Sequence, residues 1–294
     1  MINISIAITI GDILITSLIN SAPLILVAIG FTLLFKLFNF FNISHGEIMT
    51  LGGYFSLLIL THLGISLFIS IIIAGIIIGI MNVLLYLGIF RTFFKEDYDM
   101  ITLIVISLGI SFILRYITQL AFGVRSRFYP VGRMLFSFEG ISITSVQAFG
   151  IAVLFAAIFG THFLLTRTNL GRIIRGFADN ERLAYVHGIS SLKIGIIVFF
   201  IAGMLGGLGG GFFGAYTYAA PSMGWGQLLT VIAIVIVGGI GNPYGAMAGG
   251  FTISLVETSV ITFIGNEYAL FSVFLILILV ILIRPRGMIG SDKL

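Results

Sequence analysis

Long hydrophobic runs, separated by short polar stretches, fill most of the chain. A bilayer core about 30 Å thick requires about 20 apolar residues in a helix. Nine stretches approach that length, and they predict an all-α, polytopic transmembrane bundle of about eight or nine spans. The nine lie near 11–36, 38–61, 65–90, 99–122, 145–166, 194–219, 228–243, 246–264 and 268–284.

The number of spans between residues 228 and 264 is left open by the pattern. Gly241-Asn242-Pro243 interrupts one long apolar run. Proline removes a backbone donor and disfavours helix in the residue before it. The run is therefore compatible with two spans or with one broken, partly re-entrant span.

Composition favours a membrane protein over a soluble one. Hydrophobic residues make up 59% of the 294 residues and charged residues only 9%, whereas soluble domains carry about a quarter charged residues. Because nothing remains for a soluble domain, residues 1–294 are predicted to form a single transmembrane domain. Cysteine is absent, which excludes disulfides and thiolate metal sites. We expect this chain to bind no metal or other cofactor itself.

The basic residues predict an orientation in the cytoplasmic (inner) membrane. If the C-terminus is inside, the loops near 91–98 and 167–193 and the C-terminal tail become cytoplasmic, while the N-terminus and the polar loop 123–144 lie outside. Eleven basic residues then face the cytoplasm and three face outward. The eleven are Lys36, Arg91, Lys95, Arg167, Arg172, Arg175, Arg182, Lys193, Arg284, Arg286 and Lys293; the three are Arg125, Arg127 and Arg133. This bias explains the net charge of +4 without a nucleic-acid partner.

Glycines at four-residue spacing predict close helix packing. Lipid tails compete with side chains for apolar contact, so membrane helices associate where small residues let their backbones approach. Three such rows are Gly203, Gly207 and Gly211; Gly206, Gly210 and Gly214; and Gly241, Gly245 and Gly249. The helices that carry these rows are therefore expected to pack with their backbones close together.

Neither nucleotide-binding nor catalytic motifs are supported. Residues 209–214 match G-x-G-x-x-G, but that fingerprint requires a preceding strand in a βαβ unit. A P-loop is missing from the sequence, so ATP energy would have to come from another subunit. No catalytic triad order or paired carboxylates stand out, and the isolated polar residues suit helix packing equally well. An enzyme is therefore not indicated.

Polar residues at membrane depth are the candidates for a solute path. Asn42, Ser44, His45 and Glu47 lie between two apolar runs, and polar groups there usually face the bundle interior or a water-filled path. Hydrogen bonding between helices is an equally good interpretation. Arg115 and Glu257 lie deeper in apolar surroundings and could pair across the bundle; for both, a structural ion pair is favoured over solute contact.

The loop 167–193 has the pattern of a surface helical hairpin. Leu170, Ile173, Ile174 and Phe177 follow the i, i+3, i+4, i+7 spacing of an amphipathic helix. Such an apolar ridge flanked by arginine suits a groove on a partner protein. The alternative is a helix that rests on anionic lipid headgroups.

Several separated motifs resemble the LivH-type permeases of branched-chain amino acid ABC importers. They are Phe41-Asn42-Ile43-Ser44-His45-Gly46-Glu47, Leu51-Gly52-Gly53-Tyr54, Asn169-Leu170-Gly171-Arg172, Val186-His187-Gly188-Ile189, the stretch 238–246, Glu257 and Arg284-Pro285-Arg286-Gly287-Met288. Their order covers nearly the whole chain. Permeases for urea and short amides are similar, so the solute is less specified than the family.

The resemblance implies a multi-subunit machine. Two permease subunits, homologous or identical, would join two cytoplasmic ATPases and an extracytoplasmic solute-binding protein, with ATP bound by the partners. Gly171, Arg172, Arg175 and Gly188 would lie in the coupling loop that contacts the ATPase. An ATP-independent secondary transporter or channel is the competing possibility, and it would need no such loop.

Overall fold

The structure is a computed structural model that describes residues 2–96, 98–130, 134–138, 141–179 and 190–290. Within these residues the chain forms eleven α-helices and one short β-hairpin. The helices are α1 (Ile2–Phe38), α2 (His45–Leu63), α3 (Leu67–Leu85), α4 (Arg91–Lys95), α5 (Met100–Phe122), α6 (Ser145–Arg167), α7 (Asn169–Asp179), α8 (Ser191–Tyr216), α9 (Met223–Gly238), α10 (Pro243–Phe263) and α11 (Ala269–Ile283). The strands are β1 (Met134–Phe138) and β2 (Ile141–Thr144), which pair antiparallel.

The predicted all-α bundle is confirmed. Seven helical segments are long and apolar enough to cross a membrane, and α2 and α9 account for the two remaining hydrophobic stretches of the sequence. At 1.5 Å per residue the 16 residues of α9 span only about 24 Å, which is less than the hydrocarbon thickness. The β-hairpin is a small addition that hydropathy alone did not predict.

The interrupted run between 228 and 264 forms two antiparallel helices. The turn between α9 and α10 places Gly239 at φ 115° and Gly241 at φ 78°, values that favour glycine. The Asn242 side chain accepts hydrogen bonds from the first backbone N–H groups of α10, and Pro243 occupies the first helical turn. Gly241 is therefore a turn residue, and among the described residues nothing lies within 4 Å of the position that its Cβ would take, contrary to the predicted packing row.

The centre of the bundle is α8, which packs against α1, α2 and α3. Its glycines meet other backbones directly. A Cβ on Gly210 would overlap the carbonyl oxygen of Met49, and a Cβ on Gly52 would overlap the backbone of Gly207. The small-residue packing predicted from the sequence is therefore present between α2 and α8.

Gly211 and Gly245 also lie in tight contacts. A Cβ on Gly211 would approach the Ile71 side chain at 3.0 Å, and a Cβ on Gly245 would overlap the carbonyl of Gly238 in the facing helix. Three of the four glycines selected from the sequence for packing thus have a close neighbour on another helix, and only Gly241 does not.

Two sets of three helices, α1–α3 and α8–α10, repeat one arrangement and run in opposite directions. Helix α3 packs against α8, and α10 packs in the same way against α1. Helices α2 and α9 each start after a break in the chain, at Ser44-His45-Gly46 and at Ser222-Met223-Gly224. The backbones of Gly46 and Gly224 touch, so the two helix starts meet. Such inverted repeats are a common construction in transporters.

Both helix starts lie inside the bundle rather than at its surface. His45 contacts the carbonyl oxygen of Val27, which is about three helical turns before the end of α1. The backbone N–H of Gly224 donates to Thr50 Oγ1 at 3.0 Å. The chain between α1 and α2 therefore returns into the bundle before α2 begins.

Loop contacts define two ends of the bundle. The backbones of Arg127 and Ala219 pair, which joins the loop after α5 to the loop after α8; we call this the hairpin end. At the opposite end, which carries α7, His162 bonds Tyr244 at 2.7 Å and Met288 bonds the end of α9. Loops that the predicted spans place on the same side of the membrane therefore lie at the same end of the bundle.

Tyr129 anchors the loop at the hairpin end. Its side chain is buried, and its hydroxyl bonds the carbonyl of Gly53 and, at 2.7 Å, the hydroxyl of Ser56. Burial raises the pKa of the Tyr129 phenol. The hydroxyl therefore keeps its proton, and the loop stays fastened, throughout the physiological pH range.

Tyr129→Phe is expected to lower the stability of the folded protein by about 1 kcal/mol, because it removes hydrogen bonds without changing the packed ring. The measurement is the apparent melting temperature in detergent. Tyr218→Phe is the matched control, since Tyr218 lies at the same end and is exposed. Equal melting temperatures for the two variants would contradict the anchoring role.

Candidate functional site

The start of α2 collects the polar residues selected from the sequence. Asn42, Ser44, His45 and Glu47 are each at most 1% exposed. The Ser44 hydroxyl donates to Asn42 Oδ1 at 2.7 Å. A ring nitrogen of His45, Nε2, lies 3.2 Å from the Val27 carbonyl oxygen. The cluster is thus held between α1 and α2 at the point where the two helix starts meet.

Glu47 points away from His45 and towards α5. Its Oε1 accepts hydrogen bonds from Arg115 Nη2 at 2.7 Å and Nε at 3.0 Å, and from the Ser111 hydroxyl at 3.3 Å. The Arg115 guanidinium also lies 4.1 Å from the centre of the Trp225 ring. This ion pair therefore joins α2, α5 and the start of α9.

The predicted pairing of Arg115 with Glu257 is not observed. Arg115 does form a structural ion pair, but its carboxylate is Glu47. Glu257 lies on α10, which packs against α1, α9 and α11. Nearby, Ser254 donates to the Ser17 carbonyl at 2.9 Å. Within the described part of the chain, Glu257 forms no ion pair.

Three buried polar atoms of the cluster have hydrogen-bonding capacity left over. Asn42 Nδ2, His45 Nδ1 and Glu47 Oε2 have no partner among the described residues. Buried polar atoms normally have hydrogen-bond partners, so three unpartnered atoms in a single cluster are unusual. Together they offer one donor, one carboxylate acceptor and one ring nitrogen to a polar solute. The described residues contain no group of acidic or imidazole side chains that could hold a metal ion.

Two serines of α5 belong to the same site and were missed from the sequence. Ser107 Oγ accepts the backbone N–H of Ile43 at 3.0 Å, and Ser111 donates to Glu47. Ser107, Ser111 and Arg115 are four residues apart, so they share one face of α5. This polar stripe on an otherwise apolar helix is a signal that was available in the sequence.

The α7 helix forms as predicted, but its apolar face is not free. Ile174 and Phe177 are buried in the bundle core. Arg175 donates to the carbonyl of Leu165, and Gly171 packs against the end of α6. The same periodicity fits a helix docked on its own bundle and a helix docked on a partner, which is why the sequence pattern could not separate them.

What α7 leaves exposed is mainly Arg172 and Leu170. Gly188, the fourth residue assigned to coupling, lies outside the described residues. The exposed surface of α7 is therefore positively charged, with one apolar side chain beside the charge. Such a surface can contact an acidic or amphipathic partner, but it cannot insert a full apolar ridge.

Comparison with known proteins gives a consistent result. Residues 13–283 match the family model described as branched-chain amino acid transport system / permease component. The probable branched-chain amino acid transport permease protein LivH of Methanocaldococcus jannaschii is 26% identical over 293 residues, which covers 94% of this chain and 91% of the relative.

Two bacterial relatives agree. The high-affinity branched-chain amino acid transport system permease protein BraD of Pseudomonas aeruginosa is 25% identical, covering 91% of this chain and 92% of the relative. LivH of Salmonella typhimurium, with the same description, is 28% identical and covers 91% of both chains. No solved structure matches the chain. The resemblance drawn from the sequence motifs is confirmed.

Proposed function

The chain belongs to the family of branched-chain amino acid transport permease components, and from this premise we propose that it is the membrane-spanning subunit of an ATP-driven importer of branched-chain amino acids. The observation that carries the proposal is the extent of the family match. It runs from residue 13 to residue 283 and so includes the whole α2 site. The relatives are themselves named as permeases for branched-chain amino acids.

In this proposal the chain is one part of a larger assembly. A second permease subunit completes the pathway, two cytoplasmic ATPases bind and hydrolyse ATP, and an extracytoplasmic binding protein captures the solute. The α7 end faces the cytoplasm and the hairpin end faces outward, as the excess of basic residues near α7 and the C-terminus supports. The chain itself carries out no chemical reaction.

The α2 site is proposed to line the solute path. Helix starts inside a membrane bundle, rather than at its surface, are typical of transport sites. The unpartnered atoms of Asn42, His45 and Glu47 can exchange hydrogen bonds with a zwitterionic solute as it passes. An amino acid is small and carries both a donor and an acceptor group, which suits such a mixed cluster.

The α7 helix is proposed to transmit movement of the ATPases. Ile174 and Phe177 fix α7 to the bundle, and the neighbouring Arg172 remains exposed for contact with a partner. A force applied at Arg172 is therefore passed to the bundle through packed side chains rather than through a loose loop.

Reconstitution tests the function directly. The chain, its partner subunits and the binding protein in liposomes should accumulate leucine, isoleucine and valine only when ATP is present on the cytoplasmic side. Uptake of urea or acetamide in preference to these amino acids would redirect the proposal to an amide permease. Uptake by the purified chain alone, without ATP, would favour a secondary transporter or channel.

Arg172→Glu is expected to abolish co-purification of the ATPase subunits, because it reverses the charge of the exposed α7 surface without altering buried contacts. Arg284→Glu is the matched control, since Arg284 is also exposed and lies at the end of α11. Copurified ATPase is measured by quantitative immunoblotting. If Arg172→Glu retains as much ATPase as Arg284→Glu, α7 is not the coupling contact.

A further inference from the structure

A second polar site lies at the hairpin end, between the ends of α2 and α5. A cavity of about 300 Å³ opens there. This volume is at the lower end of the range found for small-molecule sites. Its lining combines the polar residues Arg127, Thr61 and His62 with the apolar residues Leu57, Leu58 and Phe122. It does not include any of the polar residues at the start of α2.

Arg127 is the arginine of the cavity lining and carries a permanent positive charge. Its Nη2 donates to the Phe122 carbonyl at 2.8 Å, while its backbone is fixed by pairing with Ala219. One edge of the guanidinium is thus used to hold position. No carboxylate of the described chain forms an ion pair with it, so the remaining donors are available to an anionic group.

Tyr54 supplies a further polar group to the same cavity. Its side chain is 1% exposed, and its hydroxyl has no hydrogen-bond partner among the described residues. The ring is fixed by stacking on Phe122, with 4.6 Å between ring centres. A buried hydroxyl of this kind can exchange a hydrogen bond with a ligand that enters the cavity.

The cavity and the α2 site lie along the same faces of α2 and α5. Tyr54 follows Glu47 by seven residues, and Phe122 follows Arg115 by seven, so each pair lies on a single face of its helix. The Tyr54–Phe122 stack and the Glu47–Arg115 ion pair are therefore two successive contacts of the same α2–α5 seam.

We propose that this cavity is the receiving site for a zwitterionic amino acid with a branched aliphatic side chain. Arg127 binds the carboxylate, Leu57, Leu58 and Phe122 contact the aliphatic side chain, and the Tyr54 hydroxyl accepts a hydrogen bond from the ammonium group. The inference deepens the proposed function, on which it rests. It assigns the first contact of the solute to this chain and the second to the α2 site.

Thiol labelling tests the site without requiring transport. The chain has no cysteine, so Thr61→Cys introduces a single thiol into the cavity wall. In proteoliposomes of the full chain, saturating L-leucine should slow labelling by a membrane-impermeant maleimide severalfold. Isopentylamine has the same side chain and ammonium group but no carboxylate, and it should protect much less.

Substitutions at Arg127 identify its role. In the Thr61→Cys background, Arg127→Gln keeps a donor for the Phe122 carbonyl but removes the charge, and it should abolish protection by leucine. Arg127→Lys should retain part of it. Arg125→Gln is the matched control in the same exposed loop, is outside the cavity lining and should leave protection intact.

Three outcomes would overturn the inference. They are labelling that leucine does not slow, equal protection by isopentylamine, and protection that survives Arg127→Gln. None of these bears on the importer assignment, because ATP-driven uptake of leucine by the assembled wild-type system is measured separately. Conversely, absence of ATP-driven uptake with leucine protection intact would remove the importer proposal and leave the binding site.

Discussion

Arg115→Met is expected to destabilise the folded protein by about 3–5 kcal/mol, because it leaves the buried Glu47 carboxylate without a counter-charge. Glu47 is 1% exposed, and its Oε1 accepts two hydrogen bonds from Arg115. In the described part of the chain, Arg115 is the residue that forms an ion pair with Glu47. A large fall in apparent melting temperature and in the yield of monodisperse protein in detergent is the expected result.

The double variant Glu47→Gln with Arg115→Met separates charge from packing. It removes both charges while keeping side chains of similar size, and replacing a buried ion pair by neutral groups is often nearly neutral. It should therefore recover most of the stability lost in Arg115→Met. If the double variant is as unstable as the single one, the guanidinium acts mainly through its contact with Trp225 and not through Glu47.

Gly210→Ala is expected to cost about 3 kcal/mol, because the added methyl group would overlap the Met49 carbonyl oxygen and force α2 and α8 apart. Backbone cannot move aside as the end of a flexible side chain can. The loss should appear as a lower apparent melting temperature and as a smaller folded fraction on size-exclusion chromatography.

Gly160→Ala is the control for helix propensity. Gly160 lies in α6, and no atom of another element lies near its Cβ position. Alanine is favoured over glycine in a helix by up to about 1 kcal/mol, so this variant should be neutral or slightly more stable. Opposite signs for the two substitutions support close backbone packing at Gly210, whereas similar losses would contradict it.

Hydropathy predicted most of the helices because a long apolar run in a bilayer has to satisfy its backbone hydrogen bonds internally, and an α-helix does so. The interrupted run was left open by the sequence, and the structure shows two helices there, with Asn242 and Pro243 at the start of α10 after a glycine turn. The depth at which α2 and α9 begin could not be predicted. It depends on which backbones meet in three dimensions, here Gly46 and Gly224.

The candidate site was predicted only in part. Asn42, Ser44, His45 and Glu47 were identified because polar residues between apolar runs are uncommon. The sequence allowed a pair between Arg115 and Glu257, yet α5 faces the start of α2 and Arg115 pairs with Glu47. No local pattern shows which helices are neighbours. The amphipathic pattern of α7 was predicted correctly. A periodic pattern does not show whether the bundle or a partner protein covers the apolar face.

The contact between Gly46 and Gly224 ties the two halves of the sequence to each other. A side chain added at either position needs room that only the opposite half can provide, since each backbone already occupies the space of the other's missing Cβ. The two helix starts therefore cannot diverge independently. A change tolerated in one repeat has to be matched by a change in its counterpart.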